Sequence, residues 1–136
     1  MKKIILSIAV IVAATFTSCK NETKKEKEST TEVSKKMEIT DTSFGVRGNC
    51  GMCKNTIEKA ANTVEGVTNA TWDVDQKNIA ISYDAHKTNA MEIHTAIAAS
   101  GYDTEKVAGN EEAYKNLPAC CKYDHEMMMN QSGEMN

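Results

Sequence analysis

The chain changes its hydrophobic period several times between about residue 41 and residue 108. In "DTSFGVRG", Phe44 and Val46 alternate with polar or small neighbours, a period of two that predicts a short strand. Beyond Cys53 the period lengthens. Ile57, Ala60, Ala61 and Val64 recur at the spacing of one helix face, and Gly66 suits the left-handed turn that follows a helix. The period of two then returns. Ala70, Trp72 and Val74 share one side of a second strand, and Ile79, Ile81 and Tyr83 share one side of a third. The polar "DQKN" between them predicts a hairpin turn. A second helix is expected from Asn89 to about Ser100, with Ala90, Ile93, Ile97 and Ala98 facing inward. Asn89 and Glu92 have the spacing of a capping pair, and Gly101 ends the helix. "YDTEKV" offers a fourth short strand.

The predicted order is strand, helix, strand, strand, helix, strand. This is an α+β chain with the ferredoxin-like β-α-β-β-α-β sandwich over residues 41–108. That length suffices for one sheet covered by two helices. Outside it the patterning fails. Residues 19–40 are almost wholly charged or hydroxylic and bury too little apolar surface to offset chain entropy, so they read as a disordered tether. Residues 109–136 read as a tail outside the domain. A short helix is expected at Glu111–Leu117, stopped by Pro118.

The first 18 residues change the picture of where the protein works. Lys2 and Lys3 precede an apolar run from Ile4 to Ala14, too short for a comfortable membrane span, and small polar residues follow. This is the pattern of a secretory signal. Cys19 directly after "FTS" resembles the lipobox of bacterial lipoproteins, although Phe16 and Ser18 stand where Leu and Gly or Ala are usual. The resemblance implies that Cys19 is lipidated and becomes the first residue of the mature chain. Such a chain is attached to a membrane surface without spanning it, at the cell envelope, facing the periplasm or the exterior. The net charge of −3 and the lack of a Lys/Arg cluster on a folded segment argue against a nucleic-acid partner.

The chemistry concentrates in "RGNCGMCKNTIEKA". Cys50 and Cys53 lie between the first strand and the first helix. Two intervening residues let both sulfurs converge on one ion, and thiolates select soft ions such as Cu(I) and Zn(II). Cys53 is expected in the first helical turn, where unpaired N–H groups and the helix dipole favour a thiolate. Lys54 adds positive charge nearby. Two sulfurs alone leave a tetrahedral zinc site incomplete. A structural disulfide and a thiol–disulfide exchange centre stay open as alternatives, the more so because an exported chain meets oxidising conditions. A thioredoxin-type enzyme would also need a different fold and a cis-proline beside the motif, whereas the single proline is Pro118.

Taken with the β-α-β-β-α-β order, "VEGV" after the first helix and "SGY" after the second, this Cys-x-x-Cys resembles that of the heavy-metal-associated domain. The resemblance covers about residues 41–108. It implies metal binding at Cys50 and Cys53 and places Tyr102 near the site. It departs at Gly48, where the family usually has a core Met two residues before the first cysteine. Met52 reads as a solvent-facing loop residue, with a third-ligand role as the alternative, and His86 and His94 as ordinary surface or helix residues.

The tail carries a second concentration of soft ligands. Cys120, Cys121, His125, Met127, Met128 and Met129 combine thiol, imidazole and thioether, the ligand set of copper. They form a candidate second metal site. Adjacent cysteines seldom bridge each other; pairing of Cys120 or Cys121 with another chain, a four-thiol site with Cys50 and Cys53, and a flexible tail without a metal role all stay open. The resulting expectation is a lipid-anchored protein, not an enzyme, that binds Cu(I), with Hg(II) or Zn(II) as alternatives. It would sequester the ion or pass it to a metal acceptor or metal-transporting protein. Mercuric-ion scavenging and thiol–disulfide oxidoreductase activity are the rival functions.

Overall fold

The computed structural model describes residues 36–130. The signal segment 1–18, Cys19, most of the linker and Met135 lie outside the described residues.

The elements run β1 (Ile39–Gly45), α1 (Gly51–Asn62), β2 (Val67–Asp73), β3 (Asn78–Asp84), α2 (Ala90–Ala99), α3 (Glu111–Lys115) and a 3₁₀ turn (Ala119–Cys121). The sheet order is β1-β3-β2, and both pairings are antiparallel. β1 starts earlier than the periodicity suggested, because Ile39 and Thr40 pair with Asp84 and Tyr83. The last two residues assigned to the linker are therefore strand.

Each strand places alternate residues on one face. Phe44, Ala70, Trp72, Ile79, Ile81 and Tyr83 are buried there beneath Ile57 and Ala61 of α1 and Ile93 and Ile97 of α2. The other face carries exposed Asp41, Ser43, Thr71, Asp73 and Ala80, as an antiparallel sheet with one covered face requires. The hairpin turns at Asp73, whose Oδ1 accepts from the N–H groups of Asp75 and Gln76 at 2.9 and 2.8 Å. Gly66 takes φ +103°, the left-handed value expected of it. Asn89 caps α2 by accepting from the Glu92 N–H at 3.1 Å.

The fourth strand is reduced to one antiparallel bridge between Val46 and Thr104. Thr104 turns back on itself instead of extending a ladder. Its N–H donates to Val107 O (2.9 Å), and its hydroxyl accepts from the Val107 N–H (3.0 Å). The bridge still sets this segment beside β1, the edge where a ferredoxin-like sheet carries its last strand.

Residues 110–130 were read as a tail outside the domain. They pack on it as a strap. Cys121 and Tyr123 are buried in the common core, and Leu117 and Met127 pack against it. Gly101, at φ +93°, admits the strap, since a Cβ there would stand 2.7 Å from the backbone nitrogen of Tyr114. Tyr123 fastens it. Its hydroxyl donates to Gly101 O (2.9 Å) and accepts from the Asp103 N–H (2.8 Å). Tyr114 donates to Tyr123 O at 2.6 Å. Among the described residues no helix is long and apolar enough to cross a membrane.

Candidate metal centre

The loop that carries Cys50 and Cys53 is the connection between β1 and α1. The chain leaves the sheet at Val46 and enters the helix through Cys50, the N-cap residue, which is extended at φ −153° and ψ 176°. Cys53 follows in the first turn and is wholly buried, whereas Cys50 is half-buried. Their sulfurs are 3.5 Å apart. The Asn49 N–H donates to Cys53 Sγ at 3.3 Å, which fixes the inner sulfur against the loop.

Gly48 is buried in this loop, and its missing side chain has a specific explanation. A Cβ at this position would meet Trp72 Cη2 at 3.0 Å, Trp72 Cζ2 at 3.1 Å and Cys53 Cβ at 3.2 Å. The indole of β2 takes the space that a side chain at 48 would need. Trp72 is held there by its Nε1–H, which donates to Val46 O at 3.0 Å. The ring thus supports the loop from beneath and touches the residue that precedes the thiols.

A third sulfur comes from the strap. Cys121 Sγ lies 3.9 Å from Cys50 Sγ, and the sulfurs of Cys50, Cys53 and Cys121 all fall within 4.8 Å of one another. The strap is tied to the loop beside them, because Asn49 Nδ2 donates to Lys122 O at 2.8 Å. Tyr102 is fully buried, and its hydroxyl lies beside the Cys53 and Cys121 sulfurs without a hydrogen bond of good geometry to either. The four cysteines of the described residues are unbridged.

The thiols differ in acidity. The approach of the Cys53 backbone N–H at the start of α1, short of a formed capping bond, lowers Cys50 to about 7, against the opposing effect of burial. Burial pushes Cys121 up to about 12. The cluster therefore combines a more acidic outer thiol, Cys50, with a buried strap thiol, Cys121, whose ionisation burial opposes. Lys54 contributes less than the sequence suggested. Its Nζ pairs with Glu58 at 2.7 Å and donates to Trp72 O at 2.5 Å, which directs its charge into an ion pair and the hairpin.

The soft ligands grouped in the tail are dispersed by the fold. Cys121 points inward to the loop thiols. Cys120 is exposed, 3.9 Å from Cys121 and 3.6 Å from the Met52 sulfur. Met52 itself is 53% exposed, so it stands at the mouth of the site and not within it. His125 turns away, its Nδ1 2.7 Å from the buried Asp103 carboxylate. Met127 is half-buried, and its carbonyl accepts from Arg47 Nε at 2.7 Å. Met129 sits over Gly45, and Met128 is 73% exposed. A separate site built from all six is not formed, because the 3₁₀ turn at Ala119–Cys121 and the turn closed by the Met127 N–H on Asp124 O direct these side chains to different surroundings. Asp103 is instead the anchor. It accepts from the Gly109 N–H at 2.8 Å and pairs with Arg47 at 3.2 Å. Burial opposes its charge, but the Gly109 N–H and His125 hold the carboxyl below its ordinary range.

Of the expected four thiols, the structure brings Cys121 to the loop pair and leaves Cys120 out. Cys121 lies 71 positions from Cys50, in a segment with no helical or strand period. Its one prior sign was an adjacent cysteine pair in a chain already carrying Cys-x-x-Cys.

Comparison with known proteins places the same region. A model of the heavy-metal-associated domain matches residues 48–103. The copper chaperone CopZ of Staphylococcus aureus (strain JH9) is 35% identical over 54 residues, which are 40% of this chain and 79% of that protein. Among solved structures, a CopZ metallochaperone is 32% identical at a TM-score of 0.47, covering 48% of this chain and 98% of the other. Oxidized MerP from Ralstonia metallidurans CH34 is 26% identical at a TM-score of 0.48, covering 50% of this chain and 96% of the other.

Proposed function

Since the chain belongs to the heavy-metal-associated domain family, we propose that it binds Cu(I) through Cys50 and Cys53 and passes it to, or withholds it from, a metal-transporting partner at the cell envelope. The observation that carries this reading is the pair of sulfurs 3.5 Å apart at the amino end of α1, one buried and one reachable from solvent. Soft thiolates suit a soft monovalent ion. The helix terminus favours their negative charge, and Cys50, with its lowered pKa, is the thiol poised to engage an incoming ion first.

No substrate is transformed in this reading. The ion moves by ligand exchange, with one sulfur–metal bond forming as another breaks. The segment before the domain supports an envelope location. Its basic start, apolar run and Cys19 suit export followed by lipid attachment.

The test is a competition titration of the reduced chain with Cu(I) against a chelator of known affinity, with Hg(II) and Zn(II) as competitors. The expected result is one tightly held Cu(I) per chain, lost in the Cys50→Ser/Cys53→Ser double variant. A reduced chain that takes up no Cu(I), or a double variant that holds it as well as the parent, would overturn the reading. Catalytic reduction of a test disulfide by the metal-free chain would instead support an oxidoreductase.

A further inference from the structure

We propose that the C-terminal strap supplies the third ligand of the metal loop, so that Cys50, Cys53 and Cys121 hold one ion in an internal three-sulfur site. The proposal rests on the soft-metal reading above and says what regulates that site.

The spacing of the sulfurs carries it. With metal–sulfur bonds of about 2.3 Å, three ligands in a trigonal plane stand about 4.0 Å apart, whereas two ligands in line stand about 4.6 Å apart. The Cys50–Cys53 separation is 3.5 Å, Cys50–Cys121 is 3.9 Å, and no pair exceeds 4.8 Å. Both measured separations lie closer to the trigonal value than to the linear one, and the loop pair alone is too close for the linear arrangement. Cys120 does not join the group, which leaves three sulfurs and not four.

Independent features point the same way. Tyr102, 0% exposed, places its hydroxyl beside the Cys53 and Cys121 sulfurs without a hydrogen bond of good geometry. A metal-bound thiolate is a stronger acceptor than a thiol, so a bound ion would give this donor a better partner. The strap is also docked by contacts that do not involve sulfur: Tyr123 to Gly101 and Asp103, Asn49 to Lys122, and Arg47 to Met127. Cys121 is thus delivered by the fold, already 1% exposed at the site.

The consequence is control of release. An acceptor takes an ion from a two-sulfur loop by adding its own thiolate as a third ligand. Here Cys121 fills that position. Transfer then requires the Cys121–metal bond to break, the acceptor's thiolate–metal bond to form in its place, and Cys121 to take up a proton from solvent. The ion stays Cu(I), and no electron moves. The strap favours retention, and its displacement gates delivery.

The test uses the full reduced chain, as monomer, loaded with Cu(I) alone. X-ray absorption at the copper edge should count three sulfurs in the parent and two in Cys121→Ser. Transfer to a two-thiol acceptor should quicken in Cys121→Ser by at least about tenfold, the smallest change expected even for loss of an outer-shell partner. Tyr123→Phe keeps every thiol but loosens the strap. It should retain three-sulfur coordination and transfer at an intermediate rate. Two sulfurs in the parent overturn the proposal, whether or not Cys121→Ser folds, and so does unchanged coordination or rate in a folded Cys121→Ser. Failure of the underlying reading looks different: the parent takes no Cu(I), or the Cys50→Ser/Cys53→Ser variant binds it undiminished.

Discussion

At the scale of single residues, Gly48 and Trp72 form one unit. The indole lies where a side chain at 48 would go, 3.0 Å from the Cβ position, and is itself fully buried. A close-packed interior yields little to such an insertion. Gly48→Met should therefore destabilise the fold by about 1–3 kcal/mol in urea unfolding. Trp72→Leu frees the same space, so the double variant should be more stable than the two single losses predict. Strict additivity would show that the two positions do not share a volume. His94 offers a second test. It is 2% exposed, stacks on Phe44 with ring centroids 3.6 Å apart, and leaves Nδ1 without a partner. Burial, reinforced by Lys106 and opposed by Glu105, lowers its pKa from the ordinary 6.5. The unfolded chain then takes up a proton before the folded one does. Stability is complete above 6.5 and drains away as pH falls through 6.5 toward the folded value. Between about pH 7.5 and 5.5 the urea midpoint should fall more for the parent than for His94→Phe. The His86–Glu38 pair is present in both proteins and cancels in the comparison. An equal fall in the two would rule His94 out as the cause.

At the scale of elements, the strap behaves as part of the domain. Tyr123 is 3% exposed, stacks beside Tyr102 at 5.9 Å and meets Tyr114 edge-on at 5.0 Å. Tyr123→Ala should cost about 3 kcal/mol in urea unfolding. A loss of only a few tenths would mean that residues 110–130 add little to the domain. The regular elements were legible because their sequences repeat. Ile57 and Ala61, Ala70 and Trp72, and Ile79 and Ile81 each announce a buried face by spacing alone, and all six are buried. The strap has no such rhythm. Its burial rests on Cys121 and Tyr123, two isolated residues whose surroundings are made by Gly101, Tyr102 and Asp103 some 20 positions earlier. The fourth strand was over-read for the opposite reason. "YDTEKV" alternates acceptably, but Thr104 bonds Val107 and Asp103 is taken up by His125, Arg47 and Gly109. Tertiary demand on two side chains overrode a local preference.

At the scale of the whole molecule, the domain match ends at residue 103, whereas the third thiol lies at 121. Cys50 and Cys53 lie within the matched residues, and Cys121 lies beyond them. The opposite end bears on where the protein works. If Cys19 carries lipid, Cys19→Ser should move the chain from the membrane fraction to the soluble one and abolish incorporation of labelled fatty acid. Retention on the membrane without label would exclude that anchor. A single acyl chain binds only marginally and reversibly, so a durable anchor at this site needs a second chain or another membrane contact.

The separation of 71 positions between Cys50 and Cys121 also imposes an order in time. A chain made from its amino end contains the residues of the loop thiols, the sheet, α1 and α2 before it contains Cys121. If Cys121 is a ligand as proposed, the residues up to 104 would by themselves offer two sulfurs, and the strap would close the set on an ion they already hold.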